Sequence, residues 1–270
     1  MQRSCGPQGA SYTRTATSRR VLVGCAATRV SRLASSYSAR RAALLSVQVA
    51  VKQALAGADA KLTIFIGNKC TTPLVAFRLR VPPFPAVGVT MGDVPEAVAA
   101  KAQVQVALTL ESLQPFVEPP ALQLSFISSP GTGHAYPLQL PVAVHSFCEA
   151  VAMPPADYKT RWTALAGAPR EVTAVVSPAS GAGAVSMAAA TAALQKLGMA
   201  AIEAGAPGAT GACSFRTHSI APTGQPISVG CLAMAIPDSA GGAFKVAVRS
   251  QHADVSRALM QVLQAQIEAL

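Results

Sequence analysis

Acidic residues are missing from the start of this 270-residue chain: no Asp or Glu precedes Asp59, whereas nine of the 22 Lys and Arg residues do, from Arg3 to Lys52. Beyond that leader, thirteen basic residues face twelve acidic ones, so the formal net charge of +10 belongs almost wholly to the leader. A nucleic-acid-binding domain concentrates positive charge on its folded unit, and this distribution excludes that class. The leader is rich in Arg and Ser, a composition shared by organelle transit peptides and disordered linkers, or one left by a misplaced gene start. Residues 1–55 are therefore expected to stay outside the fold.

Other absences narrow the function further. The six cysteines (Cys5, Cys25, Cys70, Cys148, Cys213 and Cys231) include no C-x-x-C pair, so neither a zinc site nor a dense disulfide framework is expected. Val172 to Gln195 lacks charge and is long enough to cross a bilayer. It consists mostly of Ala, Ser and Gly, however, with Pro178 near its start, and is too weakly apolar for insertion. The four histidines (His134, His145, His218 and His252) share no metal-ligand spacing, and no H-E-x-x-H, G-x-S-x-G or Walker pattern occurs. His145 and Cys148 are close in sequence, but nothing marks that thiol as activated. The run from Gly205 to Gly211 lacks the lysine of a phosphate loop, and its proline removes a backbone donor. The expectation is a protein with no catalytic centre, metal or cofactor.

What is present is organised in two parts. Lys61–Ile66, Leu74–Val81, Ala102–Leu110, Ala121–Ile127 and Tyr136–Val144 read as strands punctuated by Pro82-Pro83, Pro119-Pro120 and Ser129–Gly133. In the third of these, Val104, Val106 and Leu108 alternate with polar residues, which predicts one buried face. Short strands without a long helix imply an antiparallel sandwich over 56–147. From 148 to 270 the pattern mixes helices and strands. Tyr158–Leu165 is predicted as a helix capped by Asp157, Ala184–Gly198 as a second and Asp254 onward as a third, with Val255, Leu259, Val262, Leu263 and Ile267 at helical spacing. Glu171–Val176, Ala212–Thr217, Ile227–Ile236 and Ala243–Val248 read as strands, the last two joined by a hairpin at Pro237–Gly242.

Aromatics make up only 5% of the chain, and Trp162 is the sole tryptophan. It lies four residues after Tyr158, so on a helix the two rings share a face. Two roles remain open on pattern alone: an anchor for the second part's core, or the exposed aromatic surface of a binding site.

Ile64-Phe-Ile-Gly-Asn-Lys69, Ala102-Gln-Val-Gln105, Asp157-Tyr-Lys-Thr-Arg-Trp162, Val229-Gly-Cys-Leu232 and Val255-Ser-Arg257 occur in an order and spacing that resembles the alpha-adaptin appendage, the "ear" of the plasma-membrane clathrin adaptor. The resemblance implies an immunoglobulin-like β-sandwich followed by an α+β platform subdomain. It also implies a platform pocket that receives DPF/DPW or FxDxF-type motifs of endocytic accessory proteins, with adaptor subunits and the clathrin coat as indirect partners. On that basis Trp162 would be central to the pocket with Tyr158 flanking it, and Lys245 and Arg249 would face the motif's aspartate. The implied location is the cytoplasmic side of coated pits, without membrane insertion; a plastid or mitochondrion is the alternative if the leader is a transit peptide. A beta-type coat appendage and an organelle-imported protein are the rival readings. Three positions depart from the family: Lys159 replaces a second aromatic, and Met234 and Ile236 replace an arginine and a glutamate. The family's helical trunk has no counterpart in the sequence, so the chain is read as a fragment or as a free-standing appendage.

Overall fold

The computed structural model describes residues 21–22, 47–180, 185–203, 208–218, 226–238 and 242–270. Its first half contains eight strands: β1 (Val21–Leu22), β2 (Val47–Ala56), β3 (Asp59–Asn68), β4 (Val75–Arg80), β5 (Val87–Met91), β6 (Gln103–Ser112), β7 (Ala121–Ser128) and β8 (Thr132–Gln139). They form a five-stranded sheet, β1-β2-β3-β6-β5, and a three-stranded sheet, β4-β7-β8, all antiparallel. Alternation fixes which face is inside: Leu62, Ile64 and Ile66 of β3 and Val106, Leu108 and Leu110 of β6 are buried. The facing sheet contributes Phe77, Leu79, Leu122, Leu124 and Phe126. This is a sandwich, built by period-two patterning on two sheets.

A 3-10 turn at Val144–Phe147 leads into the second half. There β9 (Cys148–Ala150), helix α1 (Pro155–Ala164), β10 (Glu171–Val176), helix α2 (Met187–Lys196), β11 (Ala200–Ile202), β12 (Ala209–Arg216), β13 (Ser228–Pro237), β14 (Phe244–Ser250) and helix α3 (Ala253–Glu268) follow in turn. The strands form one antiparallel sheet in the order β10-β14-β13-β12-β11, with β9 also paired to β12. Helices α2 and α3 cover one face, where Ala193, Leu194, Leu259, Leu263 and Ile267 meet Phe215, Phe244, Val246 and Val248 in one cluster with the sandwich core. Helix α1 lies on the opposite face with a separate small cluster of Tyr158, Ile202, Ala212 and Leu232. The platform is thus a sheet fully covered on one side and partly covered on the other.

Several expectations need correction. Residues 47–55 are not part of an unfolded leader: they form β2, which pairs with β3 from Val47↔Asn68 to Ala56↔Asp59. The pair Val21–Leu22 also adds to β2. The strand read at Tyr136–Val144 runs instead over Thr132–Gln139 and is followed by the 3-10 turn. Helix α1 starts at Pro155 with Pro154 as its N-cap, and Asp157 lies in its first turn. Proline suits that first helical position, because its missing N–H would have no helical partner there. Helix α2 is capped by Ser186, whose hydroxyl accepts from the Ala189 N–H, and Gly198 follows it with φ of +81°. Residues 204–207, which take in the start of the Gly205–Gly211 run, lie outside the described residues, as do 181–184 and 239–241.

Candidate binding face of the platform

The face of the platform sheet that carries α1 can be followed row by row from the strand register. Leu232 lies opposite Arg249, which lies opposite Glu171. The next row along is Met234, Ala247 and Thr173, and the third is Ile236, Lys245 and Val175. Side chains alternate across a strand, so these nine residues share one face, with rows roughly 6.6–6.8 Å apart.

Helix α1 covers the first row. Tyr158 is buried and donates its hydroxyl to the carbonyl of Ala233 at 3.0 Å. Its ring stacks on Trp162 with centroids 5.6 Å apart and planes 15° from parallel, as the four-residue spacing predicts. Trp162 is half-buried and packs with Leu165 and Met153 against the Tyr158–Leu232 cluster. The Arg249 guanidinium lies over the indole, 4.1 Å from the ring centroid. It donates to the Trp162 carbonyl and reaches Glu171 at 2.7 Å, with only 13% of its side chain exposed. Its Nε is buried without an acceptor among the described residues. A planar guanidinium can stack and pair at once, so this one residue ties helix, indole and edge strand together.

Burial shifts the Tyr158 hydroxyl well above the ordinary tyrosine range, partly offset by the charge of Arg249. Glu171 is shifted the other way. The Gly167 N–H, 2.8 Å away, is the main cause holding its carboxyl below the ordinary glutamate value of 4.5; partial burial opposes this and Arg249 reinforces it. A depressed carboxylate stabilises the fold above its unfolded-state pKa, and that contribution is lost as pH falls through the folded value. Acid titration of stability should therefore show Glu171→Gln converging on the wild type below pH 4.5, with the two separated at neutral pH. An equal gap at all pH values would refute this contribution.

Among the described residues, none covers the second and third rows. They line an open groove of about 440 Å³, formed by Thr173, Ala174, Val175, Met234, Ile236, Lys245, Val246 and Ala247. Lys245 stands at its far end, 61% exposed, and pairs with Asp238 of the β13–β14 hairpin at 3.0 Å. Of the four residues singled out from sequence, then, three gather at the first row and Lys245 lies two rows away. Tyr158 serves as a buried support, Trp162 presents the accessible ring, and Arg249 is held in an internal pair. Sequence reasoning missed Glu171, Asp238, Thr173, Val175 and Ala247, whose place on this face depends on strand register.

Residues 146–267 match the family described as alpha adaptin AP2, C-terminal domain, which bears out the resemblance read from the sequence. The AP-2 complex subunit alpha-2 of Dictyostelium discoideum is 25% identical over 126 residues, 47% of this chain and 13% of that protein. The AP-2 complex subunit alpha-1 of Arabidopsis thaliana is 25% identical over 130 residues, 48% of this chain and 13% of the relative. The chain thus aligns with a small part of these relatives' length. Among solved structures, the GAE domain of yeast GGA1 aligns over 36% of this chain and 92% of its own, at 12% identity and a TM-score of 0.31, a likeness too slight to bear on the fold.

Proposed function

We propose that this chain acts as a clathrin-adaptor appendage, a non-enzymatic module on the cytoplasmic side of coated pits. Its platform face captures short aromatic motifs, of the DPF/DPW and FxDxF type, from disordered segments of endocytic accessory proteins. The observation that carries this reading is the half-buried Trp162, stacked on a buried Tyr158 and packed at the strand row next to an open, largely apolar groove, within the segment that matches the alpha-adaptin C-terminal domain. A rigid aromatic beside a preformed concavity is the usual anchor of a peptide hot spot. Arg249 and Lys245 lie towards the two ends of the face, each paired with a carboxylate, Glu171 and Asp238.

A short peptide loses chain entropy when it binds, so the expected affinity is modest, about 5–7 kcal/mol, or micromolar to hundreds of micromolar. Several motifs on one tail would raise the apparent affinity through effective concentration. Because Trp162 is the sole tryptophan, its emission reports directly on this face. Titration of the protein with a DPF peptide free of tryptophan should give a saturable change in emission. A folded protein whose emission is unmoved at millimolar peptide would sink the proposal.

A further inference from the structure

We propose, resting on the peptide-capture reading above, that the groove next to the Trp162 row prefers a bulky uncharged apolar side chain, two residues from the ligand's aromatic anchor, over the aspartate that DPF and FxDxF motifs carry there. The floor of the groove is the reason. Met234, Ile236 and Ala247 are its central side chains, and Val175, 66% exposed, forms its outer wall. None of these can donate a hydrogen bond to a carboxylate through its side chain.

The cations that border the floor have carboxylate partners already. Arg249 is held by Glu171 at 2.7 Å and Lys245 by Asp238 at 3.0 Å, so the groove between them is close to neutral. A ligand aspartate would have to compete with those two internal acids. It would also lose water over a floor whose one side-chain donor besides Lys245 is the Thr173 hydroxyl. A leucine or methionine in the same place removes apolar area from water on both sides of the contact, at no electrostatic cost.

The spacing follows from the register. Trp162 packs at the row of Leu232 and Arg249, and the groove begins at the next row, Met234 and Ala247. One row is roughly 6.6–6.8 Å, the distance between alternate side chains of an extended peptide lying along the strands. An aromatic against Trp162 therefore sets the side chain two positions away over Met234. The occupant is an extended, uncharged apolar-aromatic segment of a partner protein.

The experiment uses the full chain and three fluorescein-labelled ten-residue peptides of glycine and serine. Each contains one phenylalanine, with leucine, alanine or aspartate two positions after it. Anisotropy should show the leucine peptide binding about tenfold tighter than the aspartate peptide, with the alanine peptide between them. The preference should persist from low to high salt. Met234→Lys would introduce an unpaired cation and is expected to shift preference toward the aspartate peptide. Val175→Asp, on the most exposed wall, should weaken the leucine peptide alone. Tightest binding by the aspartate peptide, falling with salt, would overturn the groove assignment while leaving peptide capture intact. Sedimentation showing a dimer that Met234→Lys disrupts would place a second copy in the groove and overturn it equally. Absence of binding by all three peptides, or binding indifferent to Trp162→Ala, would remove the capture reading on which the proposal stands.

Discussion

Replacing Trp162 with alanine is expected to lower affinity for aromatic-motif peptides by more than about tenfold while the protein stays folded, since truncating a central hot-spot aromatic typically costs 2 kcal/mol or more. The two parts of this expectation have separate origins. Binding should fall because the indole is the half-buried ring packed at the strand row next to the groove; Tyr158, buried under α1, cannot take over its role. The fold survives because Trp162 belongs to the small cluster under α1, apart from the main core that joins sandwich and platform. Loss of the Arg249 stack and of part of the indole packing should cost about 1–3 kcal/mol of stability. Trp162→Phe, which keeps an aromatic surface, should recover most of the binding. Anisotropy with a labelled DPF peptide reads the affinity and circular dichroism reads the fold; capture by the alanine variant at wild-type strength would show that the ligand lies elsewhere.

How much of this face was legible in the sequence can be judged residue by residue. The Tyr158–Trp162 stack was, because helical spacing alone brings i and i+4 together. The environment of Arg249 was not. Its contact with the indole and with Glu171 requires β10, β14 and β13 to pair in one register, and register is a long-range property. The same holds for the groove. Met234 and Ile236 stood out as departures from the family pattern, but only the sheet shows that they share a face with Val175 and Ala247.

The fold divides in a similar way. Strand β6 could be read from strict alternation and α3 from a continuous apolar stripe. By contrast, β2 carries its own alternation in Val47, Val49 and Val51, yet its composition places it with the basic leader. Averaged over a segment, charge obscured a local pattern that was sufficient in itself. The three-residue strands β9 and β11 are too short for any periodicity to mark them, and they exist because β12 offers a partner on that side.

Phe147→Ala is expected to produce the largest loss of stability, about 3–5 kcal/mol, in the range found for truncating a fully buried phenylalanine. Phe147 is wholly inaccessible and lies where the sandwich passes into the platform, immediately before β9. Its ring meets Phe116 edge to face at 6.1 Å, and Phe116 meets Phe84 likewise at 5.9 Å. This aromatic chain lies in the single cluster that unites the two halves. Around it are polar ties between the halves: His218 Nε2 lies 2.7 Å from an Asp59 carboxylate oxygen, and the His218 N–H donates to the Ser112 carbonyl at 2.7 Å. The His218–Asp59 pair is nearly half exposed and worth little alone, so the apolar junction should dominate the coupling. Urea unfolding of the wild type, followed by Trp162 emission for the platform and by far-ultraviolet circular dichroism for all the strands, should give one coincident transition. In Phe147→Ala the midpoint should fall, and the two signals should separate as the halves lose their shared core. A variant that unfolds within about 1 kcal/mol of the wild type, with both probes still coincident, would show that the junction is held by something other than this ring.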